Sequence, residues 1–219
     1  DILPQKQMTP TGYKLEHIPR STLNDKGEIK RGGGVAIIFK NQLKLKRKPS
    51  KQFQAFEYLI AEVEHANQLV NLTVLYRPPN SKLNDVFLKE FSELADILLA
   101  SKGKPLIVGD FNYHVDLIKN ADISSVPKSV VDVVNQFGVS NLTQHVNEPT
   151  QKSGHTLDLI LTRGTELGVK NIHCDMSVPS DHYAVIFNLS IPKPERPKKE
   201  ITIRKWKNIE MSSRFFSNF

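Results

Sequence analysis

The chain has 219 residues, of which 39% are apolar and 24% are charged, and its formal net charge is +7. This composition is typical of a globular domain with one sizeable core. The single cysteine, Cys174, excludes an intrachain disulfide, and no apolar stretch approaches the roughly 18 residues that a transmembrane helix needs. The basic balance indicates an anionic partner, nucleic acid first, although a merely basic soluble protein would carry the same charge.

Strands dominate the predicted secondary structure. Residues 1–31 are polar and rich in turn residues around one short strand, and the lysine-rich stretch 40–51 predicts a solvated loop. Apolar runs bounded by turn residues predict the remaining strands. These strands lie at 35–39, 56–63, 70–76, 105–108, 157–161, 169–174 and 183–191.

Two helices are predicted between these strands. Apolar residues recur at helical spacing from 86 to 99, and Ser81 or Asn84 can cap this first helix. The second helix covers 128–137, and Gly138 is its natural stop. Because strands outnumber helices and several strand pairs resemble hairpins, the pattern predicts an α/β fold of two packed sheets with helices outside.

The domain organisation follows from a change in composition. From residue 192 the chain is charged and rich in proline, which predicts an extended linker over 192–219. One domain is therefore predicted over 1–191. No internal repeat divides it.

A buried strand at 105–108 leads directly into Gly-Asp-Phe-Asn. Polar groups that follow such a strand in an α/β protein commonly line an active-site cleft. In an extended chain Asp110 and Asn112 point the same way, while Phe111 between them points into the core. Asp110 offers a carboxylate that can take a proton, and Asn112 offers an amide that can bind an oxyanion or a water. A strand that ends in an ordinary polar turn would show the same pattern.

Three further places put polar groups where an apolar strand begins or ends. Tyr76 and Asn80 flank an Arg-Pro-Pro turn, although an ordinary strand tyrosine would also fit there. Asp158 lies within an apolar strand, where a carboxylate must be paired or pay a large desolvation cost. Asp181 and His182 come just before the last strand, and an exposed turn is the alternative for them.

Taken together, these groups predict metal-assisted hydrolysis of a phosphoester. Asp158 can accept the Nδ1–H of His182, which fixes the tautomer and raises the pKa of the imidazole. Asp181 offers hard oxygen to a divalent cation, since Mg²⁺ takes only one or two carboxylates plus substrate phosphate. Asp110 can activate a water that the neighbouring amide orients, and the phenol of Tyr76 can donate to a phosphate oxygen.

Five stretches, in order, carry a resemblance to a known family. The chain resembles the endonuclease/exonuclease/phosphatase superfamily over about residues 8–191, and most of all the endonuclease domain of non-LTR (LINE-type) retrotransposons. The stretches are 32–37 (Gly-Gly-Gly-Val-Ala-Ile), 76–80 (Tyr-Arg-Pro-Pro-Asn), 109–112 (Gly-Asp-Phe-Asn), 154–158 (Gly-His-Thr-Leu-Asp) and 180–183 (Ser-Asp-His-Tyr).

The resemblance implies a fold, an activity and partners. The implied fold is a four-layer α/β sandwich of two mixed sheets flanked by helices, here lacking its first strands. The implied activity is Mg²⁺-dependent nicking of one DNA strand, and Mn²⁺ can substitute for Mg²⁺. The nick would prime a reverse transcriptase that follows the linker. The implied location is the nucleus, and no membrane is involved. The implied site residues are Tyr76, Asp110, Asn112, Asp158 and His182 for catalysis, Asn80 and His155 for substrate, and Asp181 for the metal.

The chain departs from the family near its start. It lacks the family's first strand with its Asn, and the Thr-Glu-Thr-Trp-like motif whose Glu binds the metal; Glu16, Glu28 and Glu57 lie in other contexts. We therefore expect Mg²⁺ to bind weakly through Asp181. We also expect unpaired strand edges, which favour association or instability.

Two alternatives stay open. One is a repair-type nuclease or another phosphoesterase of the same fold, acting on small molecules or lipid headgroups. The other is a catalytically degenerate domain that only binds nucleic acid or a protein partner, which the missing metal-binding Glu favours. His114 and Asp116 lie outside the family's core set and are expected to shape the loop or contact substrate.

Overall fold

The structure, a computed structural model, describes residues 9–20, 33–65, 67–79, 81–118 and 122–191. The predicted linker, 192–219, lies outside the described residues. Within them the elements are, in chain order, strands β1 (Tyr13–Pro19), β2 (Gly34–Lys40), β3 (Lys44–Arg47), β4 (Glu57–His65) and β5 (Gln68–Tyr76), a 3₁₀ turn (Ser81–Leu83), helix α1 (Asn84–Ala100), β6 (Lys104–Asp110), two 3₁₀ turns (Val115–Ile118 and Ile123–Ser125), helix α2 (Lys128–Val139), β7 (Leu142–Gln144), β8 (Asp158–Arg163), β9 (Gly168–Asp175) and β10 (Ala184–Ser190).

Six strands form the central sheet, in the order β3-β4-β5-β6-β8-β7. Only β5 and β6 run parallel, and the other neighbours are antiparallel. A parallel pair needs a crossover connection, which α1 supplies. Outside this sheet, β1 pairs with β2 and β9 pairs with β10, each as an antiparallel pair.

The two helices cover one face of the central sheet. Phe87 and Phe91 of α1 and Val133 and Phe137 of α2 are almost fully buried against it. On the opposite face, β1 and β2 pack over β4 and β5, while β9 and β10 pack over β6 and β8. The predicted α/β sandwich is confirmed. In the part of the chain that the structure describes it has three layers, and the second sheet is represented by two separate pairs.

Two local expectations about strands and helix ends were wrong. The lysine-rich stretch contains β3, an edge strand in which Leu45 packs inward while the lysines stay exposed, as charged residues often do at a sheet edge. Gly138 does not stop α2, which ends at Val139, and the left-handed residue that follows is Asn141. The short strand β7 was not predicted because three residues carry too little periodicity.

The expected cap of α1 was also wrong. Leu83 occupies the N-cap position, without a side-chain capping bond, and Asn84 is the first helical residue. The side-chain oxygen of Asn84 instead accepts hydrogen bonds from Arg77 and Tyr113, 2.6 and 3.0 Å away. Among the described residues, neither helix has the length and apolar character needed to span a bilayer.

Candidate active site

Four polar side chains lie in one row across the end of the central sheet. Glu57 of β4 is paired with Tyr76 of β5, Tyr76 with Asp110 of β6, and Asp110 with Asp158 of β8. Residues paired across neighbouring strands point to the same face and are about 5 Å apart. The row faces away from the helices, since Tyr76 packs in the core beneath β2. Strand register therefore brings together three residues that are far apart in sequence and that we predicted to share a site.

Asp110 and Asn112 form a compact turn rather than an extended pair. The backbone N–H of Asn112 donates to Asp110 Oδ1 at 2.9 Å, and its side-chain Nδ2 donates to Asp110 Oδ2 at 2.8 Å. Asn112 has a φ of 51°, in the left-handed region that asparagine tolerates better than most residues. The expectation of an extended chain was wrong, but the amide still lies against the carboxylate. Phe111 points into the core and is fully buried, as predicted.

The Asp110 carboxyl has an unusual proton affinity. Burial, followed by repulsion from the Asp158 carboxylate, raises the pKa of Asp110 to about 6, although the hydrogen bonds from Asn112 and the nearby His182 act in the opposite direction. A carboxyl group with a pKa near neutrality can exchange a proton at physiological pH. Asp110 is therefore poised for acid–base chemistry in a way that an exposed aspartate is not.

Asp158 and His182 form a hydrogen-bonded dyad, as the sequence predicted. His182 Nδ1 lies 2.8 Å from Asp158 Oδ2, and both side chains remain partly accessible to solvent. Burial alone would lower the pKa of His182, but the hydrogen bond and charge of Asp158, with smaller contributions from Asp110 and Asp181, raise it above its usual value. The dyad favours an imidazole that donates from Nδ1 and gains a proton readily.

Thr150 anchors the chain segments that carry the dyad. Its fully buried hydroxyl accepts hydrogen bonds from the backbone N–H groups of Leu157 and Asp158, at 2.9 and 3.0 Å. Its carbonyl oxygen accepts from the N–H of Tyr183 at 2.8 Å. One residue therefore fixes the start of β8 and the loop before β10, which explains how two distant segments place Asp158 and His182 side by side.

Asp181 lies beside the dyad on the surface. It is exposed, and the Ser180 hydroxyl lies 3.4 Å from its Oδ1. Among the described residues, no group of three or more His, Cys, Asp or Glu side chains is placed to hold a metal ion. The hard carboxylate oxygens here match the chemistry of Mg²⁺, which can be held by one or two carboxylates when substrate phosphate supplies further ligands. The donor set thus fits a loosely held magnesium ion and does not form a complete cage.

Of the two residues expected to bind substrate, the structure describes only His155. Asn80 lies outside the described residues. His155 is partly exposed, and its Nδ1 lies 3.2 Å from Asp116 Oδ2, while Thr156 N donates to the other oxygen of Asp116 at 2.9 Å. The ring of His155 stacks on that of His114 with centroids 4.0 Å apart. Asp116 and His114 therefore shape the loop around His155, which is the first of the two roles expected of them.

Sequence reasoning missed the neighbours of Tyr76. Arg20 forms an ion pair with Glu57, and its guanidinium lies over the Tyr76 ring at 5.3 Å from the centroid. The second carboxylate oxygen of Glu57 is buried without a hydrogen-bond partner. The sequence context of Glu57 differs from the family's metal-binding motif, and only strand register reveals that Glu57 lies next to Tyr76.

The arrangement defines a class of protein. An α/β sandwich carries, at one edge, a histidine–aspartate dyad, a second carboxyl group with a raised pKa and a tyrosine, which together can move protons and stabilise an anionic oxygen. Groups of this kind suit the hydrolysis of phosphoesters. The chain belongs to the Endonuclease/Exonuclease/phosphatase family, whose model matches residues 4–182. Members of this family are hydrolases of phosphodiester or phosphate esters, and they usually use divalent metals.

Solved structures show the same fold. The endonuclease domain of TRAS1, a telomere-specific non-LTR retrotransposon, is 15% identical with a TM-score of 0.60, covering 84% of this chain and 81% of that one. The human Nocturnin catalytic domain is 17% identical with a TM-score of 0.57, covering 83% and 73%. Humanized D. rerio TDP2 is 13% identical with a TM-score of 0.56, covering 83% and 79%. A search of curated proteins finds no significant match.

Proposed function

We propose that this chain is a Mg²⁺-dependent endonuclease that hydrolyses one phosphodiester bond in a strand of DNA, in the manner of a retrotransposon target-site nuclease. The observation that carries the proposal is the hydrogen bond between Asp158 and His182, 2.8 Å long, beside Asp110 with its pKa of about 6. Two groups that can exchange protons, the Asp110 carboxyl and the His182 imidazole, thus lie at one sheet edge. General acid–base chemistry requires such groups.

Each side chain at this edge has a proposed role. Asp110 takes a proton from the attacking water, and Asn112, bound to its carboxylate, orients that water. His182 is held by Asp158 in the tautomer that donates from Nδ1, and its raised pKa supports a positive charge facing the phosphate. The Tyr76 hydroxyl donates to a phosphate oxygen.

The proposal includes a metal ion and two substrate contacts. Asp181 would hold Mg²⁺, or Mn²⁺ in its place, and when bound the ion would polarise the phosphate. Asn80 and His155 would contact the DNA beside the scissile bond. The imidazole of His155 is already oriented by Asp116, which supports a defined contact.

Two observations support DNA as the substrate. The net charge of +7 favours a polyanion, whose binding releases counterions. The TRAS1 domain, with the same fold, is an endonuclease of a non-LTR retrotransposon. By analogy the proposal extends to action in the nucleus and to a reverse transcriptase in the parent protein.

A second candidate is a domain that binds nucleic acid or a protein partner without cleaving. It is favoured by one observation, that the described residues do not assemble a complete metal site. Another phosphoesterase activity of the same fold remains the alternative within the enzyme class. A panel of abasic DNA, phosphate monoesters and lipid headgroups would separate that activity from target-site nicking.

The test is nicking of supercoiled plasmid with Mg²⁺ and with a chelator. We compare the unaltered chain with His182→Ala and with a matched control, His173→Ala, which removes an exposed histidine on β9. We expect Mg²⁺-dependent nicking that falls at least about a hundredfold in His182→Ala and is unchanged in His173→Ala. Salt-dependent plasmid binding without nicking in any variant would favour the binding domain instead.

A further inference from the structure

A guanidinium group is buried directly beneath the candidate site. Arg77, the residue after Tyr76, is only 3% exposed. Its guanidinium lies over the ring of Tyr113 at 3.9 Å from the centroid and near the ring of Phe87 at 5.5 Å, on the helix side of the central sheet. Burying a charge in this way is costly unless specific hydrogen bonds compensate, and the desolvation lowers the pKa of Arg77. The destination of those hydrogen bonds therefore indicates what the residue does.

The guanidinium of Arg77 binds the turn that carries the site. Its Nη1 donates to the carbonyl oxygens of Phe111 and Asn112, both at 3.3 Å. Its Nη2 donates to Asn84 Oδ1 at 2.6 Å, at the start of α1. Two carbonyl groups of the turn are thereby drawn toward the core and tied to the first turn of a helix.

The backbone of Arg77 holds the same turn from the other side. Its N–H donates to the carbonyl oxygen of Asp110 at 2.9 Å, and its carbonyl oxygen accepts from Asn112 Nδ2 at 2.8 Å. That same Nδ2 donates to the Asp110 carboxylate. A chain of contacts therefore runs from the buried cation, through the left-handed Asn112, to the Asp110 carboxylate.

We propose that Arg77 is the positioning residue of this site, fixing the Asn112 amide and through it the Asp110 carboxylate. The planar fork of arginine can bond two turn carbonyls and Asn84 at once, which the single ammonium of lysine cannot do with the same geometry. The role in catalysis rests on the proposed nuclease function, whereas the positioning itself is a property of the folded chain.

The kinetic test compares Arg77→Met and Arg77→Lys with the unaltered chain. A third variant, Leu98→Ala, is the matched control because it loosens the core at the far end of α1 and leaves the turn alone. Nicking is measured over a range of DNA concentrations up to saturation, at a temperature where circular dichroism shows every variant folded. Both Arg77 variants should nick on the order of 10²-fold more slowly with unchanged half-saturation, and Leu98→Ala should nick normally despite a lower melting temperature. Full activity in Arg77→Lys would overturn the proposal, since charge alone would then suffice.

A second measurement needs no activity. Nuclear magnetic resonance measures two quantities: the hydrogen exchange of the Asn112 side-chain amide and the pH titration of the Asp110 carboxyl carbon. The charged groups that face the Asp110 carboxyl are Asp158, His182 and Arg77. In both Arg77 variants the amide should exchange faster and the titration midpoint should move upward. If the unaltered chain never nicks DNA, the nuclease proposal fails, but these two signals still test whether Arg77 positions Asn112 and Asp110. Unchanged Asn112 and Asp110 signals in both variants would overturn the positioning role.

Discussion

At the level of single residues, Asp110 is a site residue whose ionised carboxylate lowers the stability of the fold. Its pKa of about 6 lies above the ordinary value of 3.8, so the folded chain binds a proton that the unfolded chain releases between those two values. Its contribution to stability is therefore most favourable below about pH 4 and is lost as the pH rises through about 6. At neutral pH the charged, half-buried carboxylate costs free energy.

Replacing Asp110 by asparagine should therefore stabilise the chain at high pH while abolishing nicking. The difference between the folded and ordinary pKa values of Asp110 corresponds to roughly 3 kcal/mol, which partial exposure and the loss of one Asn112 hydrogen bond reduce to about 1 kcal/mol. Urea unfolding at pH 8 should show this gain, and at pH 4 the two chains should be nearly equal. A gain that is the same at both pH values would contradict the assigned titration.

The sequence could predict which side chains meet at the candidate site, but it could not predict the contacts that hold them in place. Asp158 was expected to need a partner because it lies in an apolar strand, and His182 supplies it at 2.8 Å. Arg77 appeared only as part of a turn, because nothing local reveals that its side chain crosses to the helix side. Glu57 beside Tyr76 depends on strand register, which a single sequence does not fix.

At the level of elements, the contact between β5 and β6 depends on one glycine. Gly109 has a φ of 143°, and a Cβ there would lie 1.8 Å from the carbonyl oxygen of Leu75. Gly109→Ala should therefore separate the strands that present Tyr76 and Asp110, at a cost of about 3 kcal/mol or more. Thermal unfolding measured by circular dichroism checks the prediction, and a melting temperature equal to that of the unaltered chain would contradict it.

Gly138 provides the matched control for that substitution. It lies inside α2 with helical backbone, and a Cβ there would meet nothing within 4 Å. Gly138→Ala should raise the free energy of unfolding by about 0.5–1 kcal/mol, because alanine loses less backbone entropy in a helix. If Gly109→Ala lowers the free energy of unfolding and Gly138→Ala raises it, then local backbone geometry, rather than the loss of glycine as such, determines the change in stability.

The sequence predicted an element correctly where burial produced an apolar run or a helical spacing of apolar residues. The strands β2, β5, β6 and β8 were predicted from apolar runs, and α1 from helical spacing. Prediction failed for β3 and β7, since β3 consists mostly of exposed basic residues and β7 has three residues. Pairing with a neighbour, rather than their own composition, makes these two segments strands.

At the level of the whole molecule, charge and architecture act together. The sandwich places the site at an edge where strand ends from the central sheet meet the loop before β10, and the net charge of +7 favours an approaching polyanion. The number of layers could not be predicted from pattern alone, because it depends on which faces different strand pairs cover. The α/β class could be predicted, because alternating strands and amphipathic helices have few ways to bury their apolar faces.

Magnesium binding should depend on DNA. With Asp181 exposed and no three metal-ligating groups converging among the described residues, the chain alone should bind Mg²⁺ with a Kd well above about 100 μM. An uncleavable DNA analogue would add phosphate oxygens, so calorimetry should show tighter Mg²⁺ binding in its presence, and by linkage tighter DNA binding with Mg²⁺. Asp181→Asn should remove this coupling while leaving salt-dependent DNA binding intact. Micromolar Mg²⁺ affinity without DNA would mean that the chain holds a more complete set of metal ligands than Asp181 alone.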